Sequence, residues 1–154
     1  SSADNLKGRR LRVSSSVVLG DVKRQQVSLL FDLENVEGNS VNSKVIGLIT
    51  SQAYIKRGVR RFKGKKEDSF LIKCNEGNVR MKTIILLRKE VQRSLGAKLL
   101  KTTRELGIKA CEGKGFEDLV LNVLNGGISK GIKDGLRKVY PVADVEIRYF
   151  CFGK

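Results

Sequence analysis

The sequence contains no histidine. That absence removes Ser-His and Cys-His nucleophile pairs, histidine zinc sites and the commonest general base. Cysteine is scarce: Cys74, Cys111 and Cys151 are odd in number and widely separated. Such spacing fits neither a clustered zinc site nor a disulfide-rich scaffold, and reads as buried free thiols in a reducing compartment. Six phenylalanines, three tyrosines and no tryptophan argue against a broad stacking platform for bases. No apolar run approaches the roughly 18–20 residues that span a bilayer. No long helical pattern joins a basic face to large aromatics as an interfacial anchor does. Acidic residues are also short, with 16 Asp and Glu against 31 Lys and Arg, leaving +15 over 154 residues.

What is present is an ordinary core wrapped in positive charge. Apolar residues make up 40%, enough for one domain, so the cation excess belongs to the surface. It points to a polyanion, and without a membrane segment that polyanion is nucleic acid. The chain starts at Ser1 rather than at methionine, as a processed or trimmed product would, and no targeting segment is read in it.

Taken in order, residues 1–12 carry Lys7, Arg9, Arg10 and Arg12 and read as a basic arm. β-Branched content and bounding glycines predict strands over 11–20 and 25–36, a loop through 36–43 and a strand over 44–50. In the stretch from Lys56 to Lys66, seven of eleven residues are cations: Lys56, Arg57, Arg60, Arg61, Lys63, Lys65 and Lys66. Their mutual repulsion predicts a loop that is mobile alone and ordered against phosphates, the plainer alternative being a solvated loop. Tyr54 and Phe62 stand ready either to stack on bases or to anchor the core.

Strands at 70–74 and 79–87 flank Asn75-Glu76-Gly77-Asn78, a hairpin signal. A helix is predicted over 88–106, with Val91, Leu95, Leu99, Thr102 and Leu106 in one stripe roughly 80° wide. Arg93, Lys101 and Arg104 fall on its other side and face an anion. Gly107 stops the helix, and residues 108–112 read as a short strand. Gly113, Lys114 and Gly115 then form a glycine loop opening a second helix over 116–126. There two flexible glycines, one ammonium and free N–H groups make a phosphate site, with a simple strand-to-helix turn as the alternative. A closing strand covers 142–152.

This ordered set resembles a family, the universal small-subunit ribosomal protein eleven, over residues 68–134. The matching pieces are Asp68-Ser69-Phe70-Leu71 with Gly77-Asn78-Val79 in the hairpin and Arg104-Glu105-Leu106-Gly107-Ile108-Lys109 at the helix end. Gly113-Lys114-Gly115-Phe116-Glu117-Asp118 matches at the glycine loop, and Gly127-Ile128 with Ile132-Lys133-Asp134 beyond it. The resemblance implies an α/β fold, a ribonuclease-H-like mixed sheet with two packing helices, joined to a β-rich basic N-terminal extension. Residues 1–66 are then the extension and 67–154 the rRNA-binding domain. It also implies a structural constituent of the small ribosomal subunit, in a mitochondrial ribosome or else another organelle or the cytoplasm. Its partners are rRNA and neighbouring ribosomal proteins, with no cofactor, metal, small-molecule substrate or membrane. Lys130 and Lys133 join the RNA-binding residues on that basis.

Two alternatives remain. Asp32 with Glu34, and Asp144 with Glu146, alternate on strands as carboxylates of a two-metal nuclease would. A sheet-based single-strand binder outside the ribosome is the other.

Overall fold

The structure, a computed structural model, describes residues 8–20, 25–37 and 40–153. Within them the chain forms β1 (Arg10–Ser14), α1 (Ser15–Leu19), β2 (Val27–Glu37), β3 (Ser40–Thr50), α2 (Gln52–Arg61), β4 (Gly64–Cys74) and β5 (Gly77–Leu87). α3 (Arg93–Cys111), α4 (Phe116–Leu124), α5 (Gly127–Arg137) and β6 (Asp144–Phe152) follow. The strands make one sheet in the order β1-β2-β3-β6-β5-β4, and every pairing is antiparallel. The mixed sheet expected from the sequence is thus corrected. β6, last in sequence, pairs between β3 and β5 and ties the two halves of the chain together. The boundary expected at 66/67 falls inside β4, and β1, β2 and β3 continue the same sheet.

Alternation decides which side chains meet the core. On β5, Val79, Met81, Thr83, Ile85 and Leu87 line one face, with Arg80, Lys82, Ile84 and Leu86 on the other. α3, α4 and α5 cover the first face. Phe116 of α4 lies parallel to Phe150 at 5.8 Å and tilted against Phe152 at 4.0 Å. Leu48, Val79, Met81, Leu99, Leu119, Ile132 and Leu136 complete this core. The hairpin turns tightly at Asn75 and Glu76, and Gly77 takes φ 146, a conformation open to glycine.

The helices depart from the sequence expectations in instructive ways. Residues 15–19 form α1 rather than strand, closed by Gly20 at φ 68. Residues 40–43, expected as loop, begin β3: the side chains of Ser40, Val41, Asn42 and Ser43 are exposed while their backbone pairs with β2. α3 starts at Arg93, because residues 88–92 must first carry the chain away from the end of β5, an interior strand. They pass so close to β4 that a Cβ on Gly64 would lie 2.8 Å from the Lys89 carbonyl.

α3 then runs through Gly107 to Cys111, correcting both the glycine stop and the short strand. Gly107 packs under Phe70, where a Cβ would meet the ring at 2.9 Å, so its lack of a side chain serves packing. The buried stripe is Gly96, Leu99, Thr103, Gly107 and Cys111. It is turned by about one residue step, roughly 100°, from the expected stripe. Small residues let the helix approach the sheet, and Leu95, Leu100 and Leu106 flank the contact. α5 was not foreseen, since Gly127, Gly131 and Gly135 obscure the i, i+4, i+8 stripe of Ile128, Ile132 and Leu136.

Candidate nucleic-acid interface

The densest basic stretch is a folded element. Residues 56–61 belong to α2, which corrects the mobile loop expected from charge repulsion. Tyr54, Ile55, Gly58, Val59 and Phe62 recur at spacings of one and three and give the helix an inner face. That face lies on Ile84 and Leu86, the sheet side opposite α3, α4 and α5. A Cβ on Gly58 would sit 3.3 Å from the Leu86 side chain. The Tyr54 hydroxyl donates to Glu146 Oε1 at 3.1 Å, so Tyr54 is an anchor. Lys56, Arg57, Arg60 and Arg61 are all exposed along the helix. Arg57 and Arg61 border the narrow crevice between α2 and the sheet, whose far wall holds Asp144 and Glu146.

Lys63, Lys65 and Lys66 follow at the start of β4, around a cleft of about 440 Å³ that Phe62, Leu87, Glu90 and Val91 help to line. Lys65 pairs with Glu67 at 3.1 Å. Lys66 turns to the other face and lies across Gly96 of α3, where a Cβ would be 2.8 Å from its Cε.

The remaining predicted residues lie on the helical side. Arg93 and Lys101 are exposed on α3. Arg104 is occupied: its Nε and Nη2 donate to Asp68 at 2.5 and 2.7 Å. This guanidinium holds the Asp68 carboxyl below its ordinary pKa, against the opposing effect of burial. Lys133 pairs with Asp144 at 3.1 Å, while Lys130 is exposed one turn earlier on α5.

At the glycine loop, Gly113 takes φ 72 and Gly115 caps α4. The first amide there is already engaged, because Phe116 N–H donates to Glu76 Oε1 at 3.4 Å from the hairpin turn. A carboxylate of the protein itself thus sits where the sequence suggested a phosphate, with Lys114 exposed beside it. The predicted set therefore divides into two groups on opposite sides of the sheet.

Sequence reasoning left further cations of the α2 side out of the RNA-binding set, naming Arg10 and Arg12 only as part of a basic arm. Alternation places Arg80 and Lys82 on that face, and the register of β1 adds Arg10 and Arg12. Sparse charges at strand spacing carried the signal, but charge density drew attention elsewhere.

The carboxylates of the nuclease alternative do not converge. Asp32 is on β2, separated by β3 from Asp144 and Glu146, and these two are engaged by Lys133 and Tyr54. Among the described residues no group of three or more His, Cys, Asp or Glu is placed to hold a metal ion. The cysteines are free, with Cys111 and Cys151 buried and Cys74 half-buried. Burial pushes the Cys111 thiol up to about 12.

Comparison with known proteins identifies the chain's relatives. It is 26% identical over 144 residues to the small ribosomal subunit protein eS1 of Nanoarchaeum equitans, covering 93% of this chain and 73% of that protein. The eS1 protein of Methanobrevibacter smithii is 26% identical over 145 residues, with 94% and 75% covered. That of Saccharolobus islandicus is 26% identical over 141 residues, with 91% and 68% covered. These are proteins of archaea, organisms without mitochondria, and they overturn the mitochondrial assignment. The motifs behind the other ribosomal family were generic ones, and the Gly107 motif sits inside a helix rather than at its stop. A model of the Ribosomal S3Ae family matches residues 1–151, and the chain belongs to that family, not to the small-subunit protein eleven family.

Proposed function

We propose that this protein is a structural constituent of the small ribosomal subunit that holds rRNA through dispersed phosphate contacts, chiefly along α2. The observation that carries this reading is α2 itself. An apolar face docks it on the sheet, and Lys56, Arg57, Arg60 and Arg61 stand exposed on a prepared helix. A rigid row of cations binds phosphate without first bearing the cost of ordering a loop. Its three arginines are each capable of bidentate contact. Lys63 and Lys65 continue the row beside the cleft at the sheet's end, while Lys66, turned to the other face, contributes from the helical side. On the helical side Arg93, Lys101, Lys114 and Lys130 contribute outlying contacts. Arg104 and Lys133, already paired within the fold, serve it instead. Phosphate contacts position a protein on RNA without reading sequence, as assembly of a ribonucleoprotein requires.

The family is one of ribosomal proteins, which is not an enzyme class. No described helix is long and apolar enough to cross a membrane. The partners proposed are rRNA and neighbouring small-subunit proteins. Sedimentation tests the reading: the tagged chain, expressed in its own host, should co-migrate with small subunits on a sucrose gradient. Recovery only in light, free fractions would contradict it.

A further inference from the structure

The part of the sheet that α2 leaves uncovered carries an arrangement of its own. Between β5 and β6 the register shifts beside Lys82, so that Lys82 pairs with Tyr149, Thr83 pairs with Ile147, and Arg148 is the extra residue. Such a bulge turns successive side chains to the same face. Arg148 reaches across β5 to Glu67 on β4 at 3.7 Å, and Tyr149 stands beside it on the sheet floor. The Lys82 ammonium lies 5.1 Å over the Tyr149 ring. Arg80 is two residues from Lys82 on the same face. From β1, across β2 and β3, Arg10 reaches toward the same point: its charge and that of Arg80 both act on the Tyr149 hydroxyl. Arg12 is its neighbour on the same strand face.

The charge balance of this floor is uneven. Glu67 is shared by Lys65 and Arg148, Asp144 pairs with Lys133, and Glu146 accepts from Tyr54. Asp32, opposite Arg10 in register, lies on this side as well. None of the ion pairs among the described residues uses Arg10, Arg12, Arg80 or Lys82. Three of these four are exposed and Lys82 is half-buried.

We infer that this floor is a second RNA surface, which binds a single-stranded segment with its phosphates on Arg10, Arg12, Arg80 and Lys82 and one base stacked on Tyr149. The inference rests on the RNA-binding reading above and adds a distinct site and a distinct RNA conformation. Convergent guanidiniums match phosphate oxygens, and an aromatic ring among them matches the face of an unstacked base. A duplex offers no free base faces, whereas a single strand does. On binding, the base takes the place of the Lys82 ammonium over the ring, and that ammonium moves to a phosphate.

The test measures binding of the full chain to two labelled RNAs, an unstructured strand of about 12 nucleotides and a fully paired hairpin. The Arg80→Gln/Lys82→Gln double variant should lose about tenfold or more in affinity for the single strand. Tyr149→Leu should lose about fivefold or more, while Tyr149→Phe, which keeps the ring, stays near wild type. Hairpin binding should change by less than about twofold in each case. Equal losses on both probes, or no loss on the single strand, would overturn the inference. A wild-type chain that binds the hairpin but not the single strand would overturn it alone. Failure to bind either would overturn the proposed function as well. If Tyr149→Leu does not fold, the double variant, altered only at side chains reaching solvent, still decides the matter.

Discussion

Arg104 and Asp68, 36 residues apart in sequence, are joined by two hydrogen bonds that fasten α3 to β4. The Asp68 side chain is only 7% exposed, and without Arg104 a nearly buried carboxylate would keep only the Ser69 N–H, at 2.9 Å, as a partner. Arg104→Ala should therefore destabilise the fold by about 1–2 kcal/mol near neutral pH, the lower part of the usual range because Arg104 is half exposed. The pH dependence follows from the depressed Asp68 pKa. A carboxyl lowered by folding contributes stability above its unfolded value, near 3.8, and loses it as pH falls through the folded one. Urea titrations should show wild type and variant separated at pH 7 and converging below that window.

Two glycines of the helical layer should respond oppositely to the same change. At Gly107 a Cβ would meet the Phe70 ring at 2.9 Å, so Gly107→Ala should cost about 1–3 kcal/mol despite its better helix propensity. At Gly131, within α5, nothing lies within 4 Å of the added atom. Gly131→Ala should stabilise by about 0.5–1 kcal/mol. Denaturation midpoints of the two variants check both signs.

The contrast also shows where the sequence was legible. Strict alternation and Gly77 made the β4–β5 hairpin readable, and Gly113 and the apolar face of α4 made that helix readable. What failed was weighing one signal against another. Over residues 56–66 a charge density of seven in eleven hid the apolar face that Tyr54, Ile55, Val59 and Phe62 give α2, and repulsion was overruled by docking on Ile84 and Leu86. In α3 the large residues were taken as the buried stripe, whereas close packing on β4 selected Gly96, Thr103 and Gly107. Glycine content hid α5 for the same reason. Of the candidate site, the basic cluster was visible as composition. That Arg104 and Lys133 are paired, and that Arg80 and Lys82 share a floor with Tyr149, depended on strand order, which local patterns do not encode.

The thiols should differ in reactivity. Cys111 is fully buried and pushed up to about 12, so at pH 8 only about one molecule in 10⁴ would carry its thiolate even if a reagent reached it. Cys151 is buried beneath Gly47, and its Sγ donates to the Leu48 carbonyl. Cys74 is half-buried at the end of β4. Alkylation of the native chain, followed by mass spectrometry, should modify Cys74 first and leave the other two until denaturant is added.

The central claim is that α2 holds RNA by charge on a prefolded helix. The measurement that tests it most directly is the slope of log affinity against log salt for a structured RNA, in wild type and in an Arg57→Ala/Arg60→Ala/Arg61→Ala variant. For roughly six to ten phosphates neutralised, wild-type affinity should fall by about 10³–10⁵ between 50 and 200 mM salt. The triple variant should bind more weakly, with a slope shallower by about two to three. Its melting temperature should be close to that of wild type, because these exposed side chains do not hold the helix down. A nearly flat wild-type response, or a triple variant with an unchanged slope that melts early, would contradict the account.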